Sequence, residues 1–528
     1  MRFSPLAIFC LLAGLGLLFH QLHWSVLAIG LVSLLIAASG FYDFLQNRSP
    51  VLRNYPVSGR LRFLLQEIRP QIRQYFIEGD DEEVPYSKAQ RALVAQRSKA
   101  KDTATPFGTL EQLYQPDHVW INHSMAPVEI NDIDFRVRVG TGPKAYSCSV
   151  MNISGTSYGA VSGQAIESFN RGAALGGFAH NTGEGGLSNF HQTYKGDLIW
   201  QIGTGYFGCR AKDGTFDADA FQKTARSEQV KMIEVKLSQG AKPGRGGMVL
   251  AAKVTPEIAK IRQVEPYQDC ISPPHHHSFH NPAGLLKFVE ELRDLSGGKP
   301  VGFKLCIGHP WEILAVAKAM VETDIVPDFI TVDGAEGGTG AAPAEFLDHV
   351  GCPLKDAVVY VDNILKGIGK RDRVKIAASG KLLSGFDIAR ICALGADWVN
   401  MARPFMFSIG CIQARTCHNG KCPTGITTLD PLRARAINVP KQSEAVAAFH
   451  KNTRHALAEL MSVAGVNHPS KLNRRHLVRR IGQAEILLAD QIWPRVEEGA
   501  IIAGAVTSDP RIDSYWHRVS SNSFHVIN

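Results

Sequence analysis

The sequence predicts an α/β protein built on a (β/α)8 barrel, with an N-terminal transmembrane helical hairpin before it and a helical C-terminal region after it. Three observations carry this expectation. Between about residues 130 and 430, short β-rich runs alternate with stretches of helical spacing, the pattern of parallel α/β structure. Most of these runs end in glycine or polar residues, as strands do where a barrel opens onto its functional face. Two long uncharged stretches precede them, and helical periodicity follows.

The N-terminal element, 1–45, rests on residues 5–19 and 24–42, which carry no charge. The second stretch meets the ~20 residues needed to cross a hydrocarbon core. Arg2 precedes the pair and Arg48, Arg53, Arg60 and Arg62 follow it, so the positive-inside rule places both ends in the cytoplasm. The expectation is a multi-pass protein of a bacterial-type inner (plasma) membrane, with its main domain cytoplasmic and the lipid bilayer as a partner. A secretory signal cleaved near Ala37-Ala38-Ser39 and a soluble buried helical pair are the competing readings. Residues 46–120 read as a basic amphipathic helical linker, broken at Pro70 and at the acidic turn 79–83. It lies either against anionic headgroups or as a solvated pair on the main domain.

The barrel, 121–435, rests on the runs 147–154, 176–183, 232–239, 300–307, 328–335, 374–380 and 396–402, with helical segments such as 312–323 and 385–395 between them. The endings at Asn152–Gly155, Asn181–Gly186, Asp333–Gly340 and Ser379-Gly380 would line one mouth. Loops after the last two strands of such barrels commonly bind phosphate. There Ser379-Gly380 and Met401-Ala402-Arg403 offer backbone N–H groups, and Arg403 a charge.

Composition is that of an ordinary globular protein, with 45% hydrophobic and 20% charged residues. The net charge of +8 is diffuse, and no basic run interleaves with aromatics, which argues against nucleic acid. Of ten cysteines, Cys10, Cys148, Cys209, Cys270, Cys306, Cys352 and Cys392 are scattered and read as small buried hydrophobes. The other three form Cys411-x5-Cys417-x4-Cys422-Pro423. Thiolates so spaced, ending in Cys-Pro, suit an iron–sulfur cluster. Zinc with His418 as fourth ligand is the alternative.

The stretches NTGEGG (181–186), VKLSQGAKPGRGG (235–247), ISPPHHH (271–277), GAEGGTGA (334–341) and GCIQARTCHNGKCPTGITT (410–428) together resemble the synthase domain of glutamate synthase, in order and spacing. The hairpin makes the chain look like the short, membrane-attached, FMN-binding relatives of that enzyme. The resemblance implies FMN and a three-iron, four-sulfide (3Fe-4S) cluster on Cys411, Cys417 and Cys422. It implies reductive amination of 2-oxoglutarate by ammonia to glutamate, with electrons from ferredoxin or an NADPH-oxidising subunit. Glu184, Lys236 and Lys304 would be catalytic. Gln239, Lys242, Arg262, Gly338 and Thr339 would bind substrate, and Met151, Asn152, Ser154, Gly155, Gly334, Ser379, Gly380, Ala402 and Arg403 would bind FMN. Cations suit a dicarboxylate substrate, with Arg262 as a bidentate fork.

The sequence departs from that family at MVLAA (248–252), Arg245 and HPWEI (309–313), which leaves the substrate more open than the cofactors. A membrane-bound flavin dehydrogenase for another amino or keto acid and a non-catalytic electron-relay subunit are the other readings. His275, His276 and His277 read equally as a polar turn or as catalytic. Residues 436–528 read as helical, with RRHLVRR (474–480) as a solvated face or a lipid or electron-donor contact. No Rossmann fingerprint follows a strand, so NAD(P)H binding within the chain is not expected.

Overall fold

The computed structural model describes residues 3–82, 85–101 and 103–526; Arg2 and Glu83 lie outside them. The chain divides into two compact units, Met1–Lys88 and Ala89–Asn528.

In the first unit, α1 (Ser4–Leu18) packs on α2 (Trp24–Leu45). A Cβ on Gly16 would overlap Gly30, so the two backbones touch in the manner of small-residue helix pairs. Among the described residues α2 alone is long and apolar enough to cross a membrane, and α1 is apolar but shorter. Near the end of α2, the buried Asp43 takes both Nε and Nη2 of Arg60 at 2.7 Å. The linker expectation of a break at Pro70 needs correction. Helix α3 (Ser58–Ile72) runs through Pro70 and widens into a π turn at Arg73–Ile77. Proline removes one N–H from the ladder without ending the helix here.

The second unit is a TIM barrel. Its strands are β1 (Met151–Ile153), β2 (His180–Asn181), β3 (Leu198–Ile202), β4 (Val230–Lys236), β5 (Val301–Leu305), β6 (Phe329–Asp333), β7 (Lys375–Ser379) and β8 (Trp398–Met401). They lie parallel in chain order, and β8 closes on β1 through Val399–Met151 and Met401–Ile153. Two strand expectations change. Strand β3 falls outside the predicted runs, and residues 147–149 belong to a separate antiparallel pair with Arg136–Val139.

Side chains alternate along a strand, so the interior is layered. The floor holds Cys148, Ala179, Ile199, Met232, Phe329, Ala377 and Trp398. Two residues further along their strands come Asn181, Gln201, Glu234 and Thr331. Above these, at the carboxyl ends, stand Lys236 and Asp333, with Lys304 beside them.

The helix Val439–Val463 packs on Gly163–Gly176, where Gly172 leaves room for Val446. RRHLVRR is not a helical face. Leu477–Arg480 is a strand, paired antiparallel with Val119–Ile121 and Ile486–Leu488. Leu477 and Val478 are buried in it, and Arg474 is 1% exposed, bonded to Asp362 Oδ2 at 2.9 Å.

Candidate active site

Strand ends bring ionisable groups to one mouth. Lys236 closes β4, and its Nζ lies 2.6 Å from Oε1 of Glu184, which follows β2. Lys304, register partner of Lys236, reaches Asp333 Oδ2 at 3.2 Å. The same oxygen accepts the Gly240 N–H at 3.0 Å. Burial raises Glu184, but Lys236, then Lys242 and Arg262, outweigh it and hold the carboxyl below its ordinary range. Lys236 is pushed down by burial, against the pull of Glu184. Lys304 is also penalised by burial, yet Asp333 and Glu234 lift it above the usual lysine value.

Arg262 ends the helix Pro256–Arg262 and is 5% exposed. Its guanidinium sits 4.9 Å over the Phe207 ring. Its Nε has no hydrogen-bond partner, and its Nη1 reaches only Cys270 Sγ at 4.0 Å. Among the described residues no carboxylate forms an ion pair with it. Lys242 and Gln239 are half-buried nearby in sequence, whereas Gly338 and Thr339 are exposed.

The triple histidine divides. His275 and His277 are exposed, while His276 is buried and donates from Nε2 to the Lys236 carbonyl at 3.0 Å. Burial lowers its pKa to about 4, so it is a neutral peg fixing the end of β4. Sequence reading missed this role, and also missed Glu234, which receives hydrogen bonds from Asn181, Gln201 and Thr331.

At the far side of the mouth, the Ser379 carbonyl accepts the Gly334 N–H at 2.8 Å, and Ser154 N–H bonds the Met401 carbonyl at 2.9 Å. Ala402 and Arg403 are half-buried there, with Arg403 Nη2 on the Glu336 carbonyl at 2.8 Å. Met151 is buried, and its carbonyl accepts from His450. Asn152 uses its side chain within the protein. Its amide bonds Ser149 O at 2.7 Å and the Ala179 N–H at 3.0 Å, so its side chain is committed to the floor.

Cys411, Cys417 and Cys422 line one cavity of about 30 Å³. Burial pushes Cys411 up to about 11. Burial also raises Cys422, but hydrogen bonds from Thr424 and Thr427 bring it down to about 7. Among the described residues no three His, Cys, Asp or Glu side chains are gathered closely enough to hold a metal ion. The His418 carbonyl takes the Lys253 ammonium at 2.9 Å.

Residues 108–467 match the family described as the conserved region in glutamate synthase. The chain belongs to the glutamate synthase family. Within it, glutamate synthase large subunit-like protein YerD of Bacillus subtilis (strain 168) is 37% identical over 493 residues, 85% of this chain and 93% of the relative. The archaeal-type glutamate synthase (NADPH) of Thermotoga maritima is 33% identical over 331 residues, and the archaeal glutamate synthase (NADPH) of Methanocaldococcus jannaschii 34% over 331. Each of those two alignments covers 62% of this chain and 62% of the relative.

In this glutamate synthase family member the glycines of the mouth pack closely on one another: a Cβ on Gly380 would lie 3.3 Å from Gly334 N, and one on Gly155 would lie 3.2 Å from Gly183 Cα, close enough that a neighbour would have to shift. The three cysteines share one cavity and are of the residue type that ligates iron–sulfur clusters, although they are not gathered as a ligand set among the described residues. The acid–base pair of Glu184 and Lys236 has Lys242 and the Arg262 guanidinium within electrostatic reach of Glu184.

Proposed function

We propose that this chain is an FMN- and iron–sulfur-dependent oxidoreductase that aminates 2-oxoglutarate reductively to glutamate. Arg262 is the observation that supports the reading most. A buried cation without a direct ion pair is costly, by up to several kcal/mol; Glu184 acts on Arg262 only at longer range, and a dicarboxylate substrate would offset the remaining cost. Lys242 adds a second cation beside Glu184.

The reaction condenses 2-oxoglutarate with ammonia, losing water, and reduces the resulting imine with a hydride to carbon and a proton to nitrogen, two electrons and two protons in all. FMN, held by Ser154, Gly155, Gly334, Ser379, Gly380, Ala402 and Arg403, would supply the hydride, and a 3Fe-4S cluster on Cys411, Cys417 and Cys422 one-electron transfer. Glu184 is held as a carboxylate and would position ammonia for the condensation. Lys236, its pKa lowered by burial, gives up a proton readily toward the departing water. Lys304 stays charged, which favours anionic groups beside it. Gln239, Gly338 and Thr339 would complete the substrate pocket. Electrons would come from ferredoxin or a separate NADPH-oxidising subunit, with α1 and α2 anchoring the chain at the cytoplasmic face of a plasma membrane.

The full chain, purified anaerobically in detergent, should show its flavin reduced by glutamate or reoxidised by 2-oxoglutarate plus ammonium. A response confined to another amino or keto acid would favour the dehydrogenase reading. Silence toward every such compound would sink both. Cys417→Ser should lose the brown colour and the iron while the barrel still folds, and unchanged iron would overturn the ligand assignment.

A further inference from the structure

The middle layer of the barrel holds a charge that the reaction above does not use. Barrels of this kind usually fill their interior with branched apolar side chains, and the floor follows that rule. One layer higher, Glu234 of β4 is 0% exposed. It accepts hydrogen bonds from Asn181 Nδ2 at 2.8 Å, Gln201 Nε2 at 2.6 Å and Thr331 Oγ1 at 2.5 Å. The three donors come from β2, β3 and β6 and are all neutral. They orient it but do not neutralise it, and a buried charge needs an offset of several kcal/mol.

The nearest cations stand one layer up. Lys236 lies two residues further along β4, on the same face, and is already paired with Glu184. Lys304 stands on β5 beside both neighbours of Glu234, in register with Thr331 on β6 and with Lys236 on β4. The groups facing Lys304 are Asp333 from β6, Glu234 and Lys236 from β4, and Glu184 from the loop after β2. Asp333 shares the oxygen nearest Lys304 with the Gly240 N–H, so part of its charge is spent there.

We propose that Glu234 is a positioning residue: its carboxylate, locked by Asn181, Gln201 and Thr331, is a second buried counter-charge for the Lys304 ammonium, behind the direct partner Asp333. Its value to catalysis rests on the reaction proposed above, but the charge relationship does not.

Glu234→Gln isolates the charge, because glutamine can accept from Asn181 and Gln201 and donate to Thr331 Oγ1. The readout is the pH dependence of acetic anhydride labelling of Lys304 in the purified full chain, measured by peptide mass spectrometry with Lys318 as internal control. The Lys304 midpoint should fall by about one pH unit, a tenfold loss of proton affinity, while the Lys318 midpoint stays. Thr331→Val keeps the charge and should leave the Lys304 midpoint unchanged or higher. An unmoved midpoint in Glu234→Gln, or an equal fall in Thr331→Val, overturns the proposal and leaves Glu234 a purely structural hydrogen-bond acceptor. If Glu234→Gln fails to fold, Glu234→Gln/Lys304→Gln removes both charges and should fold, and its failure too would overturn the pairing. Absence of flavin would sink the proposed reaction instead, and the labelling would still be readable.

Discussion

The floor and the mouth of the barrel stand on the same strands, yet they follow opposite rules. Met232 and Lys236 share one face of β4, as Phe329 and Asp333 share one face of β6. At the floor, Trp398 and Phe329 are fully buried among apolar neighbours, and that burial stabilises the fold. At the mouth, Lys236, Lys304 and Arg262 are each under 10% exposed, and burial there penalises the charges that are brought together. One end of each strand is built for stability, and the other spends some of it on electrostatics.

The largest expected effect is at the floor. Trp398→Ala should cost about 3–5 kcal/mol in denaturant unfolding, with the ligand response of the folded fraction retained. A loss under about 1 kcal/mol would mean that the floor is not the principal core.

Acid should act on both regions. His191, on the barrel wall, and His276, at the mouth, are buried and fall from 6.5 to about 4. The unfolded chain therefore binds protons that the folded one refuses. Stability is complete above pH 6.5 and declines as pH falls toward 4, by up to about 3 kcal/mol for each imidazole. A thermal midpoint that stays flat between pH 7 and pH 4 would contradict this.

Lys236→Gln should cost roughly 2–3 kcal/mol, less than a fully buried pair because Glu184 keeps some solvent. Lys236→Gln/Glu184→Gln should recover most of that. The smallest stability change belongs to Arg262→Gln, which should unfold at or above the wild-type midpoint. Its affinity for a dicarboxylate, measured by calorimetry, should nevertheless fall roughly 10- to 100-fold. If Arg262→Gln is instead markedly unstable, the guanidinium is structural and the contrast between floor and mouth fails.

The fold was legible because parallel strands buried on both faces read as apolar runs with glycine at their ends, as in DFITVDGA and VKIAASG. Strand β3 escaped because Gln201 interrupts LIWQI, and its glutamine proves to be an interior hydrogen-bond donor to Glu234. RRHLVRR misled through its charges. What makes it a strand is Val119–Ile121, far away in sequence, and no local periodicity encodes that partner. At the site, residue types were readable and their environments were not. Arg262 looked like an ordinary cation in the last turn of a helix, and only the folded structure shows it buried without a direct ion-pair partner. Glu234 has no local signature, since its meaning comes from donors on three other strands. Asn152 followed a strand-end pattern, but the turn before it at Ser149 draws its amide to the floor.

The small sheet joining Val119–Ile121 to Leu477–Arg480 and Ile486–Leu488 has a practical consequence for anyone shortening this protein. It ties the approach to the barrel to the segment that follows the last long helix. A chain cut after Val463 would strip Val119–Ile121 of its neighbour and leave a bare strand edge, a template for aggregation. It would also take Arg474 from the buried Asp362, leaving that carboxylate only Lys366 and Arg371. The catalytic unit therefore has to be expressed with its tail, however dispensable that tail looks beside the mouth.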